Sequence, residues 1–147
     1  MGRDSAAEGC PFCSILAGKA SGVEVFREEL TACILDRSPV FPGHALIIPL
    51  KHYALLKDVP AKALADMQLR AKMLSEAMEA SLKCDGTLMI LNNKVSQSLY
   101  HVHMHVIPRR YGDGLKHFLW PRRAYASHEE METVAEKISK AYKSMKA

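Results

Sequence analysis

No stretch of this sequence is long and apolar enough to span a bilayer. The opening MGRDSAAEGC lacks the apolar core of a signal peptide, and Ala6 stands where a myristoylation motif needs Ser or Thr. Cysteine is scarce, with four in 147 residues. Without a secretory signal, Cys10, Cys13, Cys33 and Cys84 are expected as reduced thiols in the cytoplasm, with the nucleus also open. Internal repeats and low-complexity linkers are absent, which argues against a solenoid or a string of tethered modules. Aromatic residues are few and do not interleave with the basic ones, so neither a single-strand nucleic-acid groove nor sequence-specific binding of nucleic acid is expected.

What remains is enough for one domain, since 147 residues bury a core without disulfides. Charge is uneven: residues 1–93 carry ten Lys/Arg against eleven Asp/Glu, and residues 94–147 carry ten against five. Arg109, Arg110, Lys116, Arg122 and Arg123 cluster in that second part. Such a run is either a solvated basic surface or an attractor for a phosphate-bearing ligand.

Periodicity gives the element order. CPFCSILAG opens the ordered part as a loop and short helical turn. EVFREE and TACILD read as strands around a tight turn, and HALIIP as a short buried strand. Asp58 is a candidate N-cap with Pro60 in the first turn, and Leu64, Met67, Ala71, Leu74 and Met78 then recur at helical spacing. TLMILNN and SLYHVHMHVIP are two further strands, and Ser127 with Glu130 forms a capping box ahead of a last amphipathic helix. Short connections suggest an antiparallel sheet of about five strands in an α+β domain. The expected organisation is a flexible N-terminus over 1–9, a domain over 10–126 and a C-terminal helix over 127–147 packed on that domain.

His101, His103 and His105 alternate with Val102, Met104 and Val106. In a strand the three imidazoles share one face and the three apolar side chains the other, which suits a core on one side and chemistry on the other. A single metal cannot gather all three, because on a straight strand the first and third start roughly 13 Å apart. A neutral imidazole attacking phosphorus, with its neighbours holding the phosphate oxygens, fits the row better.

HVHMHVIP resembles the His-φ-His-φ-His-φ-φ signature of the histidine-triad (HIT) superfamily, nearest its Hint-like and small bacterial-type branches. ILDRSPVFPGHALIIPLKHY and NNKVSQSLYH are similar to the family's flanking segments, so the likeness runs from Cys10 to about Trp120. The resemblance implies His103 as nucleophile, forming a nucleotidyl-histidine that water cleaves. It implies His105 as the donor to phosphate oxygens, His44 as a support beneath the triad and Asp36 as the acceptor of ribose hydroxyls. Gln97 and Ser98 would flank the phosphate and leaving group, and Asn92 or Asn93 would contact phosphate. The family has Gly before the Gln where this chain has Ser96.

Cys10-Pro-Phe-Cys13 is too near the N-terminus to follow the buried strand that a redox motif requires. As a zinc loop it needs two more ligands. The resemblance supplies His52 and His101, and with four protein ligands the zinc would be structural. It also implies pairing into a homodimer through the long helix and an adjacent strand. The implied activity is cleavage of a phosphorus–nitrogen or phosphorus–oxygen bond at the α-phosphate of a purine nucleoside monophosphate derivative. A phosphoramidate or nucleotidyl adduct is the first choice and a dinucleoside polyphosphate the next. A nucleotide-binding module with little catalysis and a metal-dependent hydrolase using the histidine row directly are the competing readings.

Overall fold

The computed structural model describes residues 8–115 and 124–145. Arg109 and Arg110 of the basic run fall within them, and Lys116, Arg122 and Arg123 lie outside them. Residues 1–113 and 114–147 form two compact units. The first contains a five-stranded antiparallel sheet made of β1 (Glu24–Arg27), β2 (Thr31–Leu35), β3 (Ala45–Pro49), β4 (Gly86–Leu91) and β5 (Met104–Arg109). Their spatial order is β1-β2-β3-β5-β4, so the last strand inserts between the third and the fourth. The fold is α+β, as the sequence suggests.

Two layers cover the centre of the sheet, which is why β3 is apolar at every position. On one face lies α2 (Ala61–Leu82), whose Ala63, Met67, Ala71, Leu74 and Met78 pack with Cys33, Ala45, Ile47, Val102, Met104 and Val106. The steps of three and four keep these positions on one stripe of the helix. On the other face lies α1 (Pro11–Leu16), where Cys10 and Phe12 join Ala32, Ile34, Leu46 and Ile48. β2 and β3 thus feed both cores through period-two alternation.

Pro60, not Asp58, is the N-cap of α2. Asp58 ends a 3-10 turn at Leu56–Asp58 and accepts the Leu55 N–H at 3.3 Å, so its capping chemistry serves that turn instead. The histidine strand is also shorter than the pattern suggests. Its ladder starts at Met104, where the pairings to Ile47 of β3 and Leu91 of β4 both end. Pro49 then closes β3 and has no N–H to continue a ladder. His101 and His103 lie upstream in extended chain, tied by the Val102 N–H to the Tyr53 carbonyl at 2.7 Å. Alternation survives without the ladder, because Val102 is as buried as Met104 and Val106.

In the second unit, α3 (His128–Ser144) has Ser127 as N-cap, its Oγ accepting the Glu130 N–H at 3.1 Å. Glu130 returns the favour to the Ala126 N–H, one residue short of a strict capping box. Glu129 and Glu130 in the first turn and Lys143 in the last complement the helix dipole.

Candidate active site and metal centre

The extended stretch before β5 separates its histidines by function. His101 is fully buried and turns toward the N-terminal loop, where its Nδ1 lies 3.4 Å from Cys10 Sγ and 3.5 Å from Cys13 Sγ. His52, just past β3, brings its Nδ1 within 3.4 Å of Cys13 Sγ. All four ligand atoms lie within 4.8 Å of one another, and none of the cysteines is in a disulfide. A tetrahedral zinc with bonds of about 2.3 Å to sulfur and about 2.0 Å to nitrogen gives a sulfur–nitrogen edge of about 3.5 Å, which these separations match. The tautomer fits as well: His101 Nε2 donates to the Pro49 carbonyl at 2.9 Å, leaving the Nδ1 lone pair facing the sulfurs. Burial lowers His101 to about 4, so the ring is neutral. Burial, and then the Cys10 thiol beside it, pushes Cys13 up to about 11, so this sulfur ionises readily only against a cation. The four residues thus form a Cys/His site competent to hold a metal.

His103 has the opposite tautomer. Its Nδ1 donates to the His101 carbonyl at 2.7 Å, which assigns the proton to Nδ1 and the lone pair to Nε2. Nε2 makes no hydrogen bond, yet no described side-chain nitrogen or oxygen is both buried and unpartnered. The lone pair therefore opens onto a cleft of ≈ 390 Å³ that His103 and His105 line together with Asp36 and Ser98. Phe12, Ile15, Ile34, Leu46 and Leu99 give that cleft an apolar wall. Phe12 stands edge-on to both His101 and His103, with ring centroids 5.8 and 5.2 Å away.

A second chain of hydrogen bonds fixes His105. The Val40 N–H donates to His44 Nδ1 at 3.2 Å, so a neutral His44 carries its proton on Nε2. That proton points at His105 Nδ1, 2.9 Å away. His105 must then carry its own proton on Nε2, as a donor. Burial lowers both rings, His105 to about 4 with further lowering from His103 and His44, while Asp36 opposes the shift in each. Both are therefore neutral near pH 7. Asp36 closes the group, with Oδ1 accepting the Ser38 N–H at 2.8 Å and Oδ2 3.7 Å from His44 Nε2. Asp36, His44 and His105 also have metal-like spacing. The Val40 N–H argues against a metal there, because it occupies the nitrogen that would have to take the proton once a metal displaced it from Nε2.

Of the residues expected from sequence, Asp36, Ser98, His103 and His105 line the cleft, and His44 supports it from behind. Gln97 does not reach it: its amide donates to the Ala54 and Leu99 carbonyls and accepts the Lys94 N–H, so it braces the loop before the triad. Asn93 accepts the Leu56 N–H at 3.3 Å, and neither it nor Asn92 is among the lining residues. Phe12 lines the cleft too, although no motif in the sequence points to it. The signal for it is indirect, since a Cys-x-x-Cys loop docked on a histidine strand must carry its middle residues there too.

Comparison with known proteins agrees with this arrangement. The HIT domain family model matches residues 18–112. An uncharacterized HIT-like protein of Mycobacterium tuberculosis, Rv1262c, is 37% identical over 108 residues, covering 72% of this chain and 75% of that one. The adenosine 5'-monophosphoramidase HNT1 of Saccharomyces cerevisiae is 34% identical over 140 residues, 94% of this chain and 81% of its own. The adenylylsulfatase HINT3 of Arabidopsis thaliana is 31% identical over 121 residues, 81% of this chain and 59% of its own. Among solved structures, a HIT family member from Bacillus subtilis superposes with a TM-score of 0.81 at 27% identity, covering 90% of this chain and 96% of that one. A Zn-bound histidine triad protein from Mycobacterium smegmatis gives 0.70 at 29% identity, over 94% and 99%. On the family match, these relatives and the shared fold, the chain belongs to the HIT family.

Proposed function

We propose that this chain is a nucleotide hydrolase or nucleotidyl transferase acting at the α-phosphate of a purine nucleoside monophosphate derivative. A phosphoramidate or nucleotidyl adduct is the preferred substrate, and a dinucleoside polyphosphate the second choice. The observation that carries this reading is the 2.7 Å bond from His103 Nδ1 to the His101 carbonyl, which leaves the Nε2 lone pair on the cleft beside a second, proton-bearing imidazole.

In the first step His103 Nε2 attacks phosphorus. The bond to the leaving amine or oxygen breaks with its electron pair, and the leaving atom takes a proton from the Ser98 hydroxyl or from water. His105 Nε2–H donates to a non-bridging phosphate oxygen, where charge grows. Asp36 accepts from the ribose hydroxyls, and the apolar wall with Phe12 receives the base. In the second step water attacks phosphorus, the phosphorus–nitrogen bond breaks with its electron pair returning to His103 Nε2, and the water's proton restores the Ser98 hydroxyl or passes to solvent. A zinc ion held by Cys10, Cys13, His52 and His101 would cross-link the N-terminal loop to the strand exit and the triad, with no open coordination position. The two relatives named for cleaving adenylyl phosphorus bonds support this class over a pure binding module. The compartment that fits is the cytoplasm, with the nucleus also compatible, and no helix among the described residues is long and apolar enough to cross a membrane.

Turnover of an adenosine 5'-phosphoramidate by wild type and His103→Ala tests the reading. Loss of at least about 1000-fold in kcat is expected for removing a nucleophile. Near-normal turnover by the variant would assign the chemistry elsewhere.

A further inference from the structure

Helix α1 and its N-cap serve two sites at once. Cys10 and Cys13 flank Phe12, and their sulfurs face His52 and His101 in the metal centre. Pro11, Phe12 and Ile15 of the same segment line the cleft. Phe12 meets both sites. Its ring stands edge-on to His101, a residue of the metal centre, and to His103. It is buried and packs with Ala32, Ile34, Leu46 and Ile48.

A helix of six residues is not stable by itself, because nucleation costs more than so few bonds return. Its position therefore depends on tertiary anchors. At its C-terminal end the Arg27 guanidinium donates to the Leu16 carbonyl. At its N-terminal end Cys10 makes no side-chain cap, and its sulfur is turned to the metal centre instead. The first turn is thus held by the packing of Phe12 and by the two sulfurs. We propose that Phe12 couples the two sites: a metal held by Cys10, Cys13, His52 and His101 fixes the ring in the cleft wall and so tightens nucleotide binding. By linkage, a nucleotide bound against Phe12 tightens metal binding by the same factor. This rests on the reading of the cleft as a nucleotide site. Without the metal, the core between α2 and the sheet keeps its own packing, and the freedom gained is confined to α1. The nucleotide must then order that segment itself, which lowers its apparent affinity. Turnover at saturation is spared, because the His101 backbone carbonyl holds His103.

The test is equilibrium binding, without turnover. Affinity for adenosine 5'-monophosphate is measured on zinc-loaded and chelator-stripped protein. Zinc affinity is measured against a competing chromogenic chelator, with and without the nucleotide. In wild type the metal should tighten nucleotide binding by at least about fivefold, the lower end for coupled sites, and the nucleotide should tighten zinc binding equally. Phe12→Leu keeps an apolar side chain but loses the reach to the two imidazoles, so both factors should fall toward one. Leu46→Val thins the same wall from β3, so it should weaken nucleotide binding in both forms and leave the factor intact. Equal affinities in loaded and stripped wild type would overturn the proposal. So would coupling that persists in Phe12→Leu, or that is lost as fully in Leu46→Val. Circular dichroism of the stripped protein should keep its helix and sheet signal, and global unfolding would also overturn a change confined to α1. Nucleotide bound equally by both forms would leave the reading of the cleft standing, whereas nucleotide bound by neither would sink that reading too.

Discussion

Three imidazoles in register differ because each ring nitrogen has a different partner. His101 gives Nε2 to the Pro49 carbonyl and keeps Nδ1 for the sulfurs, whereas His103 gives Nδ1 to a carbonyl and keeps Nε2 for the cleft. His105 Nδ1 accepts the hydrogen bond of His44 Nε2–H, which leaves its own Nε2–H as a donor. His44 is therefore a positioning residue, and removing it frees His105 to adopt the wrong tautomer. His44→Ala is expected to lower kcat by roughly 10- to 100-fold, a range typical of lost orienting partners, with a smaller change in KM. A change confined to KM would remove His44 from that role. The same burial that keeps these rings neutral makes the fold sensitive to acid. His44 and His105 have folded values below the ordinary 6.5, so both states bind equally few protons above that value and the unfolded state binds more below it. Stability should hold above about pH 6.5 and fall as pH drops toward about 4, the value for His105. Denaturant midpoints measured across that window check this, and a flat profile would contradict it.

At the scale of elements, the triad, the helix stripe and the strand order of the sequence survive in the structure, because alternation and helical spacing are local signals. The N-cap of α2 and the start of β5 depart from the pattern, the first through a competing local turn and the second through strands distant in sequence. Asp58 is drawn to the Leu55 N–H, and the ladder at Met104 stops where β3 and β4 diverge. Gln97 illustrates the same limit, since its bonds to the Ala54 and Leu99 carbonyls depend on how the loop closes. Ser96, which stands where the family has Gly, adopts the left-handed conformation with φ +59°, so the departure keeps the backbone form that Gly would favour. The N-terminal loop bears its own prediction. Cys10→Ser should lower bound metal and the thermal midpoint, because the ligands come from three distant stretches. Folded protein should retain most turnover, because the backbone carbonyl of His101, not its ring, holds His103. Unchanged metal content in the variant would count against Cys10 as a ligand.

For the whole molecule, β4 is an edge strand whose six residues are all half-buried, and Leu69 and Met73 of α2 are exposed. An edge that apolar is a liability in a lone chain. We expect a homodimer formed through this edge and the adjoining helix. Sedimentation at micromolar concentration should give twice the 16.4 kDa chain mass, and a monomer there would reject the assembly.

The proposed chemistry passes through a covalent bond to His103 Nε2. Quenching a reaction of the wild-type protein and a nucleoside 5'-phosphoramidate with base, then measuring the intact mass and mapping the modified peptide, tests it most directly. The result predicted is one added nucleotidyl group on the peptide containing His103, absent from His103→Ala. Turnover with no adduct at any time point, or an adduct located on His101 or His105, would contradict it.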